Sequence, residues 1–344
     1  MINGFEGAFE KAGQMQRGIA KAAAMLKSNA QKINVPGSSE QGLVKKIRKA
    51  ALETTVAAVD GGMLSYSFRY MDITAVRAAG VVFAYSGSRL DSHQYVPSKN
   101  PPFESFAWSG LEYGEAAGAA SLARLDCEIA LAARIAREKK PGMLLIDGSL
   151  VPLVSDKPAK DSQLKPEYES LVKNYSGLFS ECEKNGTMLV GFSKDSRGRR
   201  FSQALEKTAE LEALERASDL AVMSRALDGG ERSVSLPYAQ EKKSSSILED
   251  FGEWGGRLML FYMKPSGTAQ AYRIEFLKTA QAGEDAVASA CLELCMFGKR
   301  YQYPPPLIEA DMVASAKPRD ARIFEAEIAR IGADRKIRDD RPFR

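Results

Sequence analysis

Met143-Leu144-Leu145-Ile146-Asp147-Gly148-Ser149 is the stretch that decides the fold class of this chain. Its four apolar residues form a continuous run, which is typical of a strand buried on both faces of an α/β sheet. The run ends in an acid beside a glycine, so the carboxylate lies where the strand emerges at the edge of the sheet. Just before the run, Pro141-Gly142 ends a long helix that we predict from about residue 112 to residue 140.

A second predicted strand ends in the same way. Residues 54–60 are an apolar run that closes in Asp60-Gly61-Gly62, and residues 73–85 continue with further strand-forming residues. Because both acids follow buried strands, we expect them to face one cleft. Asp-Gly after a strand is also ordinary turn chemistry, so neither motif is decisive by itself.

Glu128 is a third acid, on the apolar face of the helix predicted at residues 112–140. Its neighbours at helical spacing include Leu125, Leu131 and Ile135. An ionised carboxylate there is costly unless a cation compensates its charge or its pKa rises. An arginine, a lysine or a metal ion can be that cation, and the alternative interpretation is a structural Glu128 in a salt bridge.

Three acids from two strand ends and one helix suit Mg²⁺ or Mn²⁺, which prefer oxygen ligands and keep positions open for phosphate and water. Two such ions about 4 Å apart activate the attacking water and stabilise the leaving oxygen of a phosphodiester. Other chemistries are excluded. The single histidine, His93, and four cysteines without a CxxC pair provide neither a Cys/His zinc site nor a Ser-His-Asp triad.

The composition is that of a globular protein, with 344 residues of which 44% are hydrophobic and 27% charged. The formal charge of +4 is small, so affinity for polyanions must come from local patches. Scattered cysteines, no leading signal peptide and no apolar run of roughly 18 residues lead us to expect a cytoplasmic protein without a membrane segment.

One local basic patch follows the strand predicted at residues 187–192. Lys194 is a candidate to hold a phosphate or polarise the attacking water, although a lysine after a strand is more often solvated. Arg197, Arg199 and Arg200 cluster just behind it. These arginines suit salt-dependent phosphate contacts, and the alternative is a solvated loop.

Arg273 and Glu275 lie two residues apart on a predicted strand and therefore face the same side. They either pair with each other or brace the metal site, and we favour bracing. Arg273 is also a candidate for binding nucleic acid.

Together these residues resemble the NurA nucleases, which are mostly archaeal enzymes of DNA end resection. The resemblance covers nearly the whole chain and rests on short motifs whose joint order is specific although each is weak alone. They are Ala58-Val59-Asp60-Gly61-Gly62, the helical Glu128, Leu145-Ile146-Asp147-Gly148-Ser149-Leu150, Gly191-Phe192-Ser193-Lys194, Tyr272-Arg273-Ile274-Glu275, Gln302-Tyr303 and Pro306-Leu307-Ile308-Glu309-Ala310.

The resemblance implies an α/β fold with an RNase H-like mixed sheet flanked by helices. It implies that Asp60, Glu128 and Asp147 are catalytic acids that bind Mn²⁺ or Mg²⁺, with two ions expected, and it supports Lys194 as a catalytic residue. Asp311 occupies a further catalytic position that is often histidine in the family. Asp311 is therefore either a fourth metal ligand or a surface acid, and we favour the ligand.

The implied function is that of a metal-dependent deoxyribonuclease, acting as a 5′ to 3′ exonuclease on DNA and an endonuclease on single strands. The resemblance implies a homodimer that works with a HerA-type hexameric ATPase in end resection of double-strand breaks and homologous recombination. The chain has no GxxxxGK[ST] loop, so the motor must be a separate protein.

Two alternatives remain. A non-catalytic subunit of the same fold that binds DNA or docks the translocase is left open by Asp311, and by Gly62 in place of the serine of a DGS motif. A phosphotransferase of the actin or sugar-kinase type also places Asp-Gly after strands, but the chain lacks a convincing pair of glycine-rich phosphate loops.

We predict three parts along the chain. Residues 1–52 form an N-terminal helical arm with a second helix from Glu40 towards Leu52, residues 53–320 form the nuclease domain, and residues 321–344 form a charged tail. Peripheral segments of the domain are a loop at residues 86–102, a polar insertion at about residues 228–250, and a hairpin built from residues 257–262 and 272–277.

Overall fold

The computed structural model describes residues 6–112, 114–206, 217–239, 246–298 and 300–330. The chain divides into two units, each of which is described by itself. The first unit consists of Met1–Leu52, Gly148–Leu150 and Val190–Pro305, and the second of Glu53–Asp147, Val151–Leu189 and Pro306–Arg344.

Helices and strands alternate along the described ranges. The helices are α1 (Glu6–Ser28), α2 (Glu115–Lys139), α3 (Lys165–Asn185), α4 (Arg200–Glu206), α5 (Asp219–Ala226), α6 (Ser246–Asp250), α7 (Glu284–Met296), α8 (Pro305–Ala314) and α9 (Pro318–Arg330). The strands are β1 (Val44–Lys46), β2 (Thr55–Ser67), β3 (Asp72–Ser86), β4 (Arg89–Val96), β5 (Glu104–Trp108), β6 (Met143–Asp147), β7 (Met188–Ser193), β8 (Glu231–Ser233), β9 (Leu236–Pro237), β10 (Leu258–Lys264) and β11 (Tyr272–Leu277). Short 3₁₀ helices occur at Val154–Asp156 and Trp254–Gly256.

The second unit contains a mixed sheet in the order β6-β2-β3-β4, with β5 paired to β3. Strand β6 is parallel to β2, whereas β3 is antiparallel to β2 and to β4. Helix α2 packs against β2 and β3, and α3 packs against α2. Gly80 on β3 makes the close approach of α2 possible, because a Cβ there would collide with the side chain of Ile135. The predicted mixed sheet flanked by helices is confirmed.

One peripheral element of this unit differs from the sequence prediction. The loop predicted at residues 86–102 contains strand β4, which pairs with β3 through a register that includes Val81 and Tyr95. Nearly all residues of β4 are exposed, since the strand lies at the edge of the sheet. Its polar composition is that of a solvent-facing edge strand, which resembles a loop in the sequence.

The first unit contains strands in the order β1-β8-β10-β11-β7, with β9 paired to β10. Strand β7 enters this unit at Val190. The predicted hairpin is confirmed as the antiparallel pair β10 and β11. Helix α1 packs against α5, and the apolar core that they share includes Ile19, Leu26, Leu220 and Met223.

The described residues 6–52 are grouped with this unit, and the predicted division of the chain into arm, nuclease domain and tail stays a prediction. The predicted second helix after Glu40 is wrong, because this segment carries strand β1, which pairs with β8. Tertiary contacts override helix propensity here. Leu43 is fully buried, and Glu40 lies 2.7 Å from the buried guanidinium of Arg232 on β8.

Two further predicted segments are partly described. Strands β8 and β9 and helix α6 lie within the predicted insertion at residues 228–250, of which residues 240–245 are outside the described ranges. Helix α9 extends into the predicted tail, whose residues 331–344 are likewise outside them. No helix that the structure describes is both long and apolar enough to cross a lipid bilayer.

Candidate active site

Asp60 and Asp147 lie side by side at the same end of two parallel strands. The register of β2 and β6 pairs Val59 with Ile146, and each aspartate is the next residue along its strand. Parallel strands bring equivalent positions to the same edge of a sheet, so the repeated strand–Asp–Gly pattern becomes a shared site.

Helix α2 adds Glu128, which is 1% exposed, and Arg124, one helical turn earlier. Nη1 of Arg124 donates to Oε2 of Glu128 at 2.8 Å. Both side chains need the absence of a side chain at Gly61 on β2. A Cβ there would lie 3.0 Å from Cγ of Arg124 and 3.1 Å from Oε2 of Glu128.

Helix α8 adds Asp311, an exposed acid whose Oδ1 accepts a hydrogen bond of 3.2 Å from the Ser315 hydroxyl. The C-terminal end of α8 rests directly on Gly62 of β2, where a Cβ would collide with the backbone carbonyl oxygen of Ala314. Gly62, which departs from the DGS motif, is therefore required by the position of α8.

Burial is the largest influence on the pKa values of the two most buried acids. The pKa of Asp60 is raised to about 7, chiefly by burial; the 2.7 Å hydrogen bond from the Gly61 N–H and the charge of Arg124 lower it, whereas the charges of Asp147 and Asp311 raise it. Burial raises the pKa of Glu128 to about 8, with Asp60 and Asp147 adding to the rise and Arg124 opposing it. The structure thus brings the other three predicted acids within electrostatic reach of Asp60, and Asp147 within reach of Glu128 as well.

The acids fit a hard divalent cation by chemistry, but Arg124 occupies part of their surroundings. In the part of the chain that the structure describes, no three His, Cys, Asp or Glu side chains are arranged to hold a metal ion. Glu128 instead forms a salt bridge with Arg124, as expected if Glu128 is a structural residue. Carboxylates are nevertheless the oxygen donors that Mg²⁺ or Mn²⁺ prefers, and a bound cation would offset the repulsion that raises the pKa of Asp60 and Glu128.

Backbone and side-chain contacts in the first unit fix the segment that follows Asp147. The N–H of Gly148 donates to the carbonyl of Phe192 at 3.1 Å. Oε2 of Glu275 accepts from the Ser149 hydroxyl at 2.8 Å and from the Leu150 N–H at 2.9 Å. Several of the motifs that resemble the family therefore meet around residues 148–150.

Arg273 orients Glu275 in this network. Its Nε donates to Oε1 of Glu275 at 2.7 Å, and its guanidinium lies 5.0 Å from the ring centroid of Tyr238. The pairing of these two residues, the alternative to the bracing role that we favoured, is present. At 7% exposure, however, Arg273 is not available for direct contact with nucleic acid, contrary to our assignment.

Arg200 requires the same correction. It is 8% exposed, and its Nε donates to the carbonyl of Pro237 at 3.1 Å. A residue at the start of a packed helix is turned into the unit even when its neighbours in the sequence are polar. Arg197 is exposed and Arg199 half-buried, so these two remain candidates for phosphate contact.

Lys194 follows β7, and its Nζ lies 5.0 Å from the ring centroid of Tyr303. Its predicted catalytic role remains a prediction. His93 is exposed on β4 and packs edge-on to the rings of Phe83 and Tyr95.

Arg124 is the site residue to which sequence reasoning gave no role. Its signal was its position four residues before Glu128, the spacing at which opposite charges pair on a helix. A polar residue on an otherwise apolar helix face next to a buried acid is the pattern that identifies it.

Comparisons with protein families and with solved structures both find similarity to NurA proteins. A model of the NurA domain family matches residues 54–316. The NurA nuclease from Sulfolobus solfataricus is similar with a TM-score of 0.57 at 18% identity, covering 100% of both chains. The structure of NurA bound to dAMP and manganese is similar with a TM-score of 0.59 at 10% identity, covering 96% of this chain and 97% of that chain.

A further structure, NurA with manganese, gives a TM-score of 0.52 at 10% identity, covering 83% of this chain and 91% of that one. No curated protein sequence matches. At such identities the likeness shows the fold. With the strand order β6-β2-β3-β4, it confirms the predicted α/β fold with a mixed sheet flanked by helices.

Proposed function

Because this chain belongs to the NurA family, we propose that it is a metal-dependent nuclease that cleaves DNA. The observation that carries the proposal is a set of four acids, in which α2, β6 and α8 bring Glu128, Asp147 and Asp311 within electrostatic reach of Asp60 on β2. Such a cluster is costly without a cation, which supports a binding role over a purely structural one.

Asp60, Glu128 and Asp147 would hold the ion or pair of ions, with Asp311 as a further ligand. When bound, Mn²⁺ or Mg²⁺ supplies an activated water and stabilises the leaving oxygen of a phosphodiester. Burial raises the pKa of Asp60 and of Glu128, so any proton that either carboxyl group holds must be released when the ion binds.

Arg124 and Glu275 act on the positions of these acids. Arg124 donates to Glu128 and keeps its carboxylate directed towards Gly61. Glu275 holds Ser149 and Leu150, the second and third residues after Asp147. A fixed strand end limits the freedom of Asp147, and preorganised ligands are the main contribution that a protein makes to this chemistry.

The finer activity that we propose is 5′ to 3′ exonuclease action on DNA and endonuclease action on single strands. It would serve end resection of double-strand breaks in homologous recombination, as a homodimer with a HerA-type hexameric ATPase. Solved NurA structures that contain manganese support Mn²⁺ as the ion.

A non-catalytic subunit that binds DNA or docks a translocase is the second candidate. The observation that favours it is the Arg124–Glu128 salt bridge, which supplies a cation to the most buried acid without a metal. The two candidates differ in whether a divalent ion displaces that pairing.

Cleavage of end-labelled single- and double-stranded DNA in Mn²⁺, Mg²⁺ or EDTA tests the proposal. Wild type is compared with Asp60→Asn, Glu128→Gln and Asp147→Asn, each checked for folding by circular dichroism. Glu138→Gln is the matched control for Glu128→Gln, because Glu138 is an exposed acid on the same helix.

We expect metal-dependent cleavage that falls by at least about a hundredfold in each of the three site variants and is retained in Glu138→Gln. Cleavage in EDTA, or full activity in the variants, would contradict the proposal. No cleavage by the wild type, with its ATPase partner present, would favour the docking subunit.

A further inference from the structure

A polar cavity of about 480 Å³ lies in the first unit, between the loop after β7 and the start of α5. The residues that line it include Lys194, Arg197, Ser218, Ser224 and Gln270. Among the described residues of the lining, two side chains are cationic and one, Asp195, is acidic, so these described residues carry a net positive charge. A cavity of this kind favours an anionic, hydrogen-bonding ligand over an apolar one.

Helix α5 adds to the positive potential. It begins after Ser218 and runs from Asp219 to Ala226, so the positive end of its dipole lies at the cavity wall. Asp219, the acid in the first turn of α5, is not one of the lining residues. The Asp219 carboxylate is fully buried, where it accepts hydrogen bonds from the N–H groups of Phe201 and Ser202 and the hydroxyl of Tyr262.

The serine hydroxyls have protons to donate. Oγ of Ser218 accepts from the N–H of Ala221 at 3.4 Å, and Oγ of Ser224 accepts from the N–H of Ala271 at 3.1 Å. Because each oxygen is used as an acceptor, each O–H can point towards an acceptor such as a phosphate oxygen.

The two walls are tied together, so the cavity is preformed. The N–H of Asp219 donates to the carbonyl of Gly198 at 2.9 Å, and the N–H of Gly198 donates to Oγ of Ser196 at 3.1 Å. A preformed anion site loses less conformational freedom on binding than a set of mobile surface side chains.

We propose that this cavity binds a backbone phosphate of the DNA strand. Lys194 and Arg197 are the charge partners, and Ser218 and Ser224 donate hydrogen bonds. The lining has no aromatic residue among those described, so the cavity provides no surface for base stacking and reads the backbone without regard to sequence. The choice of DNA as the source of the phosphate rests on the proposed function.

The test measures binding of a fluorescent oligo(dT) by anisotropy in EDTA, where cleavage does not occur. Ala221→Glu is the principal variant, because Ala221 lines the cavity at the third position of α5. A glutamate there places a negative charge at the cavity and completes a capping box with Ser218, which favours the helix. Ala221→Gln adds the same bulk without the charge and is the matched control.

We expect Ala221→Glu to weaken oligo(dT) binding about tenfold at 0.1 M salt, and Ala221→Gln to stay within about twofold of wild type. The double variant Lys194→Gln/Arg197→Gln should lower the slope of log K against log salt by roughly 0.7 for each phosphate that it no longer neutralises. Arg48→Gln/Lys49→Gln removes the same charge from exposed positions of the same unit, and its slope should be nearly that of wild type.

Equal binding by wild type and Ala221→Glu would overturn the proposal. The proposal would also be overturned if the cavity bound only a small phosphate ligand. In that case inorganic phosphate or dAMP would raise the melting temperature of wild type, and Ala221→Glu would abolish this rise without changing oligo(dT) binding. The proposed phosphate site and the proposed nuclease activity can be rejected separately. If Ala221→Glu loses binding but wild type does not cleave DNA, the phosphate site is supported and the nuclease activity is rejected. If wild type cleaves DNA but Ala221→Glu binds as well as wild type, the nuclease activity is supported and the phosphate site is rejected.

Discussion

Nη1 of Arg124 lies 2.8 Å from Oε2 of Glu128, and both side chains fill the space beside Gly61 that any other residue on β2 would close. The pair gives the most buried acid of the site a cation in the absence of metal. A divalent ion bound as we propose would therefore compete with a guanidinium for the same carboxylate. Several measurable properties of the protein depend on this arrangement.

Metal-free protein should lose stability as pH rises, because of Glu128. Its folded pKa of about 8 is above its ordinary value of 4.5. A raised pKa means that the folded state binds the proton more tightly, so the stabilisation is complete below about 4.5 and is lost as pH rises through about 8. In EDTA, the free energy of unfolding of wild type should decline across this window.

Glu128→Gln should remove much of that decline and be more stable than wild type at pH 9 by about 1–3 kcal/mol. Urea unfolding at pH 5, 7 and 9 measures the effect. Glu138→Gln, on the exposed side of the same helix, should keep the wild-type profile. If the free energy of unfolding of Glu128→Gln declined with pH as it does in wild type, a group other than Glu128 would be responsible for the decline.

Binding of Mn²⁺ should release protons. At pH 6, Asp60 and Glu128 are both largely protonated, since their pKa values are about 7 and about 8. An ion that binds their carboxylates must displace these protons, so we expect release of between one and two protons at pH 6 and few at pH 9. Titration calorimetry in buffers of different ionisation enthalpy gives the number directly. Proton release that does not change with pH would argue against these two ligands.

Substitution of Gly62 should displace α8. In Gly62→Ala the new methyl group meets the backbone of Ala314, which cannot move independently of the helix. We expect a loss of about 1–3 kcal/mol in thermal or urea unfolding, together with weaker Mn²⁺ binding through Asp311. Gly267→Ala is the control, because a Cβ at that position meets nothing within 4 Å. A Gly62→Ala protein as stable as wild type would contradict the close contact.

Glu275→Gln should reduce turnover more than DNA affinity. The change removes the charge that Arg273 faces and weakens the support of Ser149 and Leu150. We expect kcat to fall about tenfold or more with KM within about threefold, because the residue positions Asp147 and does not contact DNA. Ser149→Ala removes one of these hydrogen bonds and should cost only about 1 kcal/mol of stability. Equal changes in kcat and KM would point to a direct role in binding.

The sequence predicted the centre of the second unit better than its edges. Asp60 and Asp147 follow buried apolar runs, whose pattern arises from burial on both faces and is therefore visible in the sequence. Strand β4 was taken for a loop because its side chains face solvent and carry no such pattern. The helical face of Glu128 was evident, but the partner of its carboxylate depended on the conformation of Arg124.

The errors in the basic residues have a different cause. Arg200 and Arg273 look like surface cations in the sequence, yet each is buried with a partner distant along the chain, Pro237 for Arg200 and Tyr238 for Arg273. Such partners follow from the tertiary fold, which one-dimensional spacing does not contain. Residues 194–197 were correctly seen as polar, but only the structure joins them to α5 around a cavity.

The contact between Gly62 and the end of α8 also limits which side chain a related protein can use at the position of Asp311. A glycine lets the helix approach β2 by the thickness of a side chain, so the short carboxylate of Asp311 reaches the neighbourhood of Asp60. Where a serine holds the helix further away, a longer side chain is needed to reach the same point. We therefore expect the side-chain lengths at the positions of Gly62 and Asp311 to compensate in related chains. Glycine at the first position should occur with aspartate at the second, and serine at the first with histidine at the second.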